Sequence, residues 1–258
     1  MRRSFLLEND RMRYSSKIAF LFYALSIVSI AVAAETQAPA PAKKPSTAAK
    51  APAASATPFD RALLQPALLR AKAPAEYEVK FVTTEGDFTI KVTRAWAPLG
   101  ADRFYNLVRH HFYDGAAFFR VLPGFMAQFG ISAYPEVSKV WEHANIKDDP
   151  VVQSNHRGFV SFATAGPNTR TTQVFINYGN NEALDRSGFT AFGVVTDGME
   201  VVDKLYNGYG EGAPDGHGPD QGLVSSRGRA YLEKGFPKLD IIRSAAVVPA
   251  AAPPAPAK

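Results

Sequence analysis

From Glu76 the chain alternates between apolar and charged positions. Tyr77, Val79 and Phe81 follow Glu76, Glu78 and Lys80 in turn, and Phe88, Ile90 and Val92 repeat the pattern beyond Glu85-Gly86-Asp87. Period-two patterning on both sides of a glycine turn predicts a β-hairpin. The period then lengthens. Pro98 suits the first position of a helix, and Phe104, Leu107, Val108 and His111 follow at helical spacing until Tyr113-Asp114-Gly115 stops them. Four short apolar runs come next, FFRVLPGFMAQFG (118–130), GFVSFATAGPN (158–168), TTQVFINYG (171–179) and GFTAFGVVT (188–196), separated by Gly, Asn and Pro. Asp197 and Glu200 are spaced as a capping box for a second helix reaching Leu205. A glycine-rich stretch, Gly208 to Gly222, precedes a last predicted strand from Lys238 to Ala245. Many short strands with few helices predict a mainly β fold built as a closed antiparallel barrel.

The flanks read differently. Residues 59–75 (FDRALLQPALLRAKAPA) predict a short pre-domain helix, broken at Pro66 and lying on the domain surface. From Thr36 to Pro58, Ala and Pro supply 14 of 23 residues, too little bulky apolar surface to fold, so residues 35–58 read as a tether. An Ala/Pro tail, residues 246–258, ends the chain, which leaves 76–245 as the domain. At the other end, Arg11, Arg13 and Lys17 precede an apolar run from Ile18 to Ala33 that closes on small residues. This is the layout of a secretory signal over residues 1–34, cleaved after Ala33 or Ala34. The run is shorter than the ~20 residues of a spanning helix, so a membrane tether through an uncleaved signal is the lesser reading. An exported protein, periplasmic or secreted, is expected.

Charge changes the picture little. The net +5 includes Arg2, Arg3, Arg11, Arg13 and Lys17 against Glu8 and Asp10 in the leader, so the remainder carries only about +2, too weak to imply a nucleic-acid partner. Absence of cysteine excludes disulfides and thiolate chemistry. His110 and His111 are adjacent and diverge on a helix, and His143, His156 and His217 lack ligand spacing, so no metal site is expected. The 208–222 stretch resembles a phosphate cradle only superficially. It lacks a Lys-Ser/Thr ending and follows a helix, so it reads as a surface loop whose acidic residues could touch a partner.

Three segments carry a resemblance. Phe118 to Gly130 closely resembles the cyclophilin signature Phe-His-Arg-Val-Ile-Pro-Gly-Phe-Met-x-Gln-Gly-Gly, and Gly158 to Asn177 resembles the second signature of that family. Leu184-Asp185, followed by Phe192-Gly193-Val194-Val195, resembles a third element. Their order and spacing agree with the family over roughly residues 76–245. The resemblance implies an eight-stranded antiparallel β-barrel capped by two helices, with peptidyl-prolyl cis/trans isomerase activity in an external groove. Position by position, Arg120 matches the catalytic arginine. Phe125, Met126, Phe175 and Leu184 match the walls of a proline pocket, Gln128 and Gln173 its polar contacts, and Ala163, Thr164 and Ala165 the segment that binds residues before proline. Phe189 falls, after a one-residue insertion, where a pocket His is usual. Phe119 replaces a His, Thr164 a common Asn, and Ala183 a frequent Trp, which makes the rim more apolar than usual in the family.

The chemistry agrees with such roles. An X–Pro bond rotates slowly because amide resonance must be broken, with a barrier of ~18–20 kcal/mol, although its two isomers differ by only ~0.5–1 kcal/mol. Catalysis therefore needs no nucleophile, metal or cofactor. It needs an apolar grip on the ring and a donor for the nitrogen of the twisted amide. Gln128 lies two residues beyond Met126 and would share its strand face, where it could hold Arg120. The expected partners are proline-containing segments of folding proteins, and the expected state is a monomer. Two other readings compete: a weakly catalytic or non-catalytic binding module of the same fold, and, less well supported, a barrel enclosing a small ligand, which the large inward side chains oppose. Taken without the motifs, the aromatic and Met positions read simply as core.

Overall fold

The computed structural model describes residues 58–248. Eight strands form one curled antiparallel sheet: β1 (Glu76–Thr83), β2 (Asp87–Thr93), β3 (Arg120–Leu122), β4 (Met126–Phe129), β5 (Phe159–Phe162), β6 (Val174–Asn177), β7 (Ala191–Asp197) and β8 (Ile242–Val248). Their order is β3-β4-β6-β5-β7-β2-β1-β8. The hairpin pairs Phe81 with Phe88 across β1 and β2, and their rings stack at 4.8 Å. Alternation holds throughout it: Tyr77, Val79, Phe81, Phe88, Ile90 and Val92 are buried, and the charged positions between them are not.

The sheet does not form the fully closed barrel expected. β3 and β8 are its two edges, and the chain just before them is joined by one isolated bridge, Ala117 to Ile241, flanked by hydrogen bonds from Phe118 N–H to the Asp240 carbonyl and from Ile242 N–H to the Ala116 carbonyl. β3 has three residues, and its one ladder is with β4. β8 instead pairs along β1 as far as Glu78 with Val248. That pairing draws Ala246, Val247 and Val248 into the sheet, past the residue where composition suggested a tail begins.

Inside the curl, Phe81, Phe88, Phe104, Phe118, Phe129, Phe162, Phe192 and Tyr113 are all fully buried and in mutual ring contact, leaving the interior packed with side chains. Helix α1 (Pro98–Arg109) contributes Phe104, Leu107 and Val108 to this core. Its first turn has no local side-chain cap. The carboxylate of Asp149, almost fifty residues away, accepts from Leu99 and Gly100 N–H at 3.0 and 2.9 Å and takes that part. His111, counted into the helix by its spacing, lies beyond it with φ 58 and is exposed, because the chain turns there before Phe112 re-enters the core.

Three further helices are short or broken. α2 (Pro135–Trp141) and α4 (Gln221–Gly235) were not foreseen, whereas α3 (Met199–Val202) stands where a helix to Leu205 was. α3 ends early, and its N-cap is Gly198 in the left-handed region with no side-chain bond, so the Asp197/Glu200 capping box does not form. α4 breaks at Gly228, φ 56, where a Cβ would come within 2.5 Å of the Ala133 carbonyl oxygen. The pre-domain segment is two 3₁₀ turns, Arg61–Leu64 and Pro66–Leu68, rather than a helix, since Pro66 removes the donor that would join them. It is nonetheless docked: Leu63 is buried, its carbonyl accepts from Trp141 Nε1, and the Asn106 amide bonds both backbone groups of Ala71. The leader, most of the tether and the tail beyond Val248 lie outside the described residues. Among the described residues no helix is long and apolar enough to cross a membrane.

Candidate active site

Three strands set out one row of side chains. Arg120 on β3 stands directly opposite Gln128 on β4, and Gln128 opposite Phe175 on β6. Strand alternation sends Val121, Ala127, Phe129, Val174 and Ile176 into the core, so Arg120, Met126, Gln128 and Phe175 share the outer face. There they line a hollow of about 370 Å³. Its other lining residues are Phe125, Ala163, Thr164, Ala165, Gln173, Leu184 and Phe189, together with Thr169, Thr171 and Gln221. All eleven residues singled out from the sequence thus converge on one cavity.

One end of the hollow is apolar. Phe125, Met126, Phe175, Leu184 and Phe189 form it, and the Phe175 and Phe189 rings meet edge to face at 5.7 Å. A partly buried polar framework holds this wall from behind. The Phe125 carbonyl accepts from Tyr178 N–H at 2.9 Å and from the Asn181 amide at 2.8 Å. Asp185 accepts from the Ser154 hydroxyl and from Asn155, through its N–H at 3.0 Å and its side chain at 2.8 Å. The same Asn155 amide donates to the Phe189 carbonyl at 2.8 Å, tying the segment that bears Leu184 and Phe189 to the sheet. Burial by itself would raise the Asp185 carboxyl, but the bonds from Ser154 and Asn155 outweigh it and hold the group below its ordinary range.

The other end is polar and ordered. Arg120 Nη1 donates to Gln128 Oε1 at 3.0 Å, and Gln128 Nε2 donates to Gln173 Oε1 at 2.8 Å, a relay along the outer face. On its far edge the guanidinium meets Glu211, with Nε to Oε1 at 2.5 Å and Nη2 to Oε2 at 2.6 Å. The hydrogen bonds from Arg120 hold the Glu211 carboxyl below its usual range. The 208–222 stretch is therefore no plain surface loop: one of its acidic residues grips Arg120, and Gln221 at its end lines the hollow. Along the 163–165 segment, Ala163 N–H donates to the Gln173 carbonyl, and Ala165 N–H to the Thr169 hydroxyl. The Thr164 hydroxyl is engaged with Thr169 and the Gly166 carbonyl. An apolar hollow beside a fixed, partly shielded guanidinium can hold an apolar ring and present N–H donors at its edge.

Comparison with known proteins decides the lineage. Residues 78–220 match the family described as cyclophilin type peptidyl-prolyl cis-trans isomerase/CLD. The chain belongs to the cyclophilin family. A peptidyl-prolyl cis-trans isomerase of Acinetobacter baylyi is 36% identical over 146 residues, which cover 54% of this chain and 77% of that protein. The peptidyl-prolyl cis-trans isomerase-like 3 of Mus musculus is 36% identical over 127 residues, or 48% and 78% of the two chains. A cyclophilin type isomerase of Cryptosporidium parvum, solved in the presence of the dipeptide Ala-Pro, shares the fold. Its TM-score is 0.51 at 22% identity, over 67% of this chain and 99% of that one. This cyclophilin is accordingly an enzyme, a peptidyl-prolyl isomerase.

Its departures from the family pattern now have places. Phe119 is buried in a small apolar cluster with Ala117, Ile131, Val224, Leu232 and Leu239, two of them from α4, where an imidazole would be stranded. Ala183 is exposed on the 3₁₀ turn Glu182–Ser187 and does not line the hollow. Thr169, Thr171, Gln221 and Glu211 were missed by sequence reasoning. Two of them lie inside a quoted motif and could have been taken with their neighbours. For Gln221 and Glu211 no local pattern points to the groove.

Proposed function

We propose that this cyclophilin accelerates rotation about X–Pro bonds by seating the proline ring against Phe125, Met126, Phe175, Leu184 and Phe189 while Arg120 donates to the amide nitrogen as it twists. The observation that carries this reading is the junction of the apolar hollow with a guanidinium already bonded to Gln128 and Glu211. In the planar amide the nitrogen lone pair is delocalised and accepts poorly; at the twisted state it is localised, so the same donor binds the transition state more strongly than either isomer. Gln128 and Gln173 are placed to order the peptide backbone, and the Ala163–Ala165 segment to bind residues before proline. Rotation breaks no covalent bond, so side chains alone supply the chemistry. The basic-then-apolar leader supports an exported enzyme whose substrates are proline-containing segments of folding proteins.

Exchange spectroscopy by NMR on a short X-Pro peptide tests the assignment. The wild-type protein raises the exchange rate, and Arg120→Ala lowers kcat/KM by about 10²–10³, as for loss of a preorganised donor. A loss below threefold removes Arg120 from its role. Peptide binding without acceleration by the wild type would favour the reading of a binding module on this fold.

A further inference from the structure

Glu211 stands in a glycine-rich segment, does not itself line the hollow, and meets the Arg120 guanidinium at 2.5 and 2.6 Å. We propose that Glu211 is a positioning residue of this isomerase, holding the Arg120 guanidinium in the one orientation that turns its remaining N–H groups toward the proline pocket, where one already meets the Met126 sulfur. The inference rests on the role proposed for Arg120.

Counting donors shows why. A guanidinium has five N–H groups. Glu211 takes the one on Nε and one on Nη2, and Gln128 takes one on Nη1. The second on Nη1 faces the Met126 sulfur at 4.0 Å, a weak acceptor that a substrate can replace, and one on Nη2 is left for a substrate. Gln128 alone would leave a long side chain free to pivot about a single hydrogen bond. A planar two-point contact fixes the plane of the group as well as its place. The pair is partly shielded, with 23% of the Arg120 and 36% of the Glu211 side chain exposed, so it is not a loose surface contact.

The segment is shaped around this residue. Gly212 N–H donates to Glu211 Oε1 at 2.9 Å, and Gly218 N–H donates to the Glu211 carbonyl at 2.7 Å. A Cβ on Gly216 would lie 2.3 Å from that same carbonyl, so only glycine permits the chain to wrap it so closely. Both ends of the segment are anchored. Tyr209 packs on Tyr206 and Phe236, and Asp220 caps α4 by accepting from Leu223 N–H at 2.8 Å. α4 in turn packs Val224 and Leu232 on Phe119, the residue immediately before Arg120. Carboxylate and guanidinium are thus mounted on one small apolar cluster. Because Glu211 lies outside the hollow, it orders Arg120 without occupying the place of a substrate.

The test uses the full-length protein and the same peptide assay. Glu211→Gln keeps the shape but cannot accept at both oxygens. It lowers kcat/KM by about ten- to a hundredfold, mainly in kcat, as expected when a reacting group is misplaced. Glu211→Asp, the milder change, falls between that variant and the wild type. In an Arg120→Ala background Glu211→Gln adds less than about twofold, because a residue acting through Arg120 has nothing left to position. The Arg120 Nε–Hε NMR signal, protected from exchange in the wild type, broadens or disappears in Glu211→Gln. The inference is overturned if Glu211→Gln keeps activity within twofold, raises it, or costs as much in the Arg120→Ala background as in the wild type. If instead Arg120→Ala alone stays within threefold of the wild type, the proposed function itself fails and the role of Glu211 falls with it.

Discussion

At the scale of the residue, the site depends on groups that never touch the hollow. Asp185 is the clearest case: it accepts from Ser154 and twice from Asn155, and Asn155 in turn holds the Phe189 carbonyl. An asparagine there offers one acceptor oxygen in place of two, and its amide faces donors. Asp185→Asn therefore costs about 0.5–1.5 kcal/mol, the net worth of a hydrogen bond, because the position is only partly buried. The pH dependence has a definite sign. The folded carboxyl titrates below its ordinary 3.8, so its contribution is fully present above that value and is lost as pH falls through the depressed one. Urea unfolding of wild type and variant should differ more at pH 7 than at pH 3, the gap narrowing as pH falls below 3.8. An equal gap at both values would show that the carboxylate charge does not hold this wall.

Among the elements, α4 has the widest effects. It carries few apolar positions, is broken at Gly228, and still buries Val224 and Leu232 against the strand edge that bears Arg120. This cover accounts for Phe119. The side chain is 1% exposed among apolar neighbours, so an imidazole would be buried without a partner. Phe119→His should destabilise the protein by about 1–3 kcal/mol at pH 7.5. The loss grows on acidification through about 6.5, because burial resists the protonation that the unfolded chain accepts freely. Denaturant titrations at pH 7.5 and 5.5 check both parts, and a neutral effect at both would mean that α4 does not seal the edge. β8 works by the same logic on the opposite edge: its last three residues are ordered by pairing with β1, although their composition matches the tail that follows.

For the whole molecule, the leader and the enzyme make one prediction together. Expressed in a cell with a secretory pathway, the full chain is exported, and intact-mass analysis of the exported protein finds a new terminus at Ala34 or Glu35. Retention of residues 1–34 with the protein in the membrane fraction would turn the leader into an anchor. The sequence by itself determined the hairpin, the first helix and the mainly β class, because those features are local, resting on period-two and 3.6-residue patterning and on turn residues, while the eleven residues that meet at the hollow came from the resemblance of its motifs to the cyclophilin family. Only the tertiary structure decided the rest. The Asp149 cap of α1, the open edge between β3 and β8, the helix over Phe119 and the grip of Glu211 on Arg120 all join residues far apart in the chain. A carboxylate in a glycine-rich stretch looks the same in sequence whether it faces solvent or a guanidinium ninety residues away. Only the folded path of the chain brings the two charges within hydrogen-bonding distance.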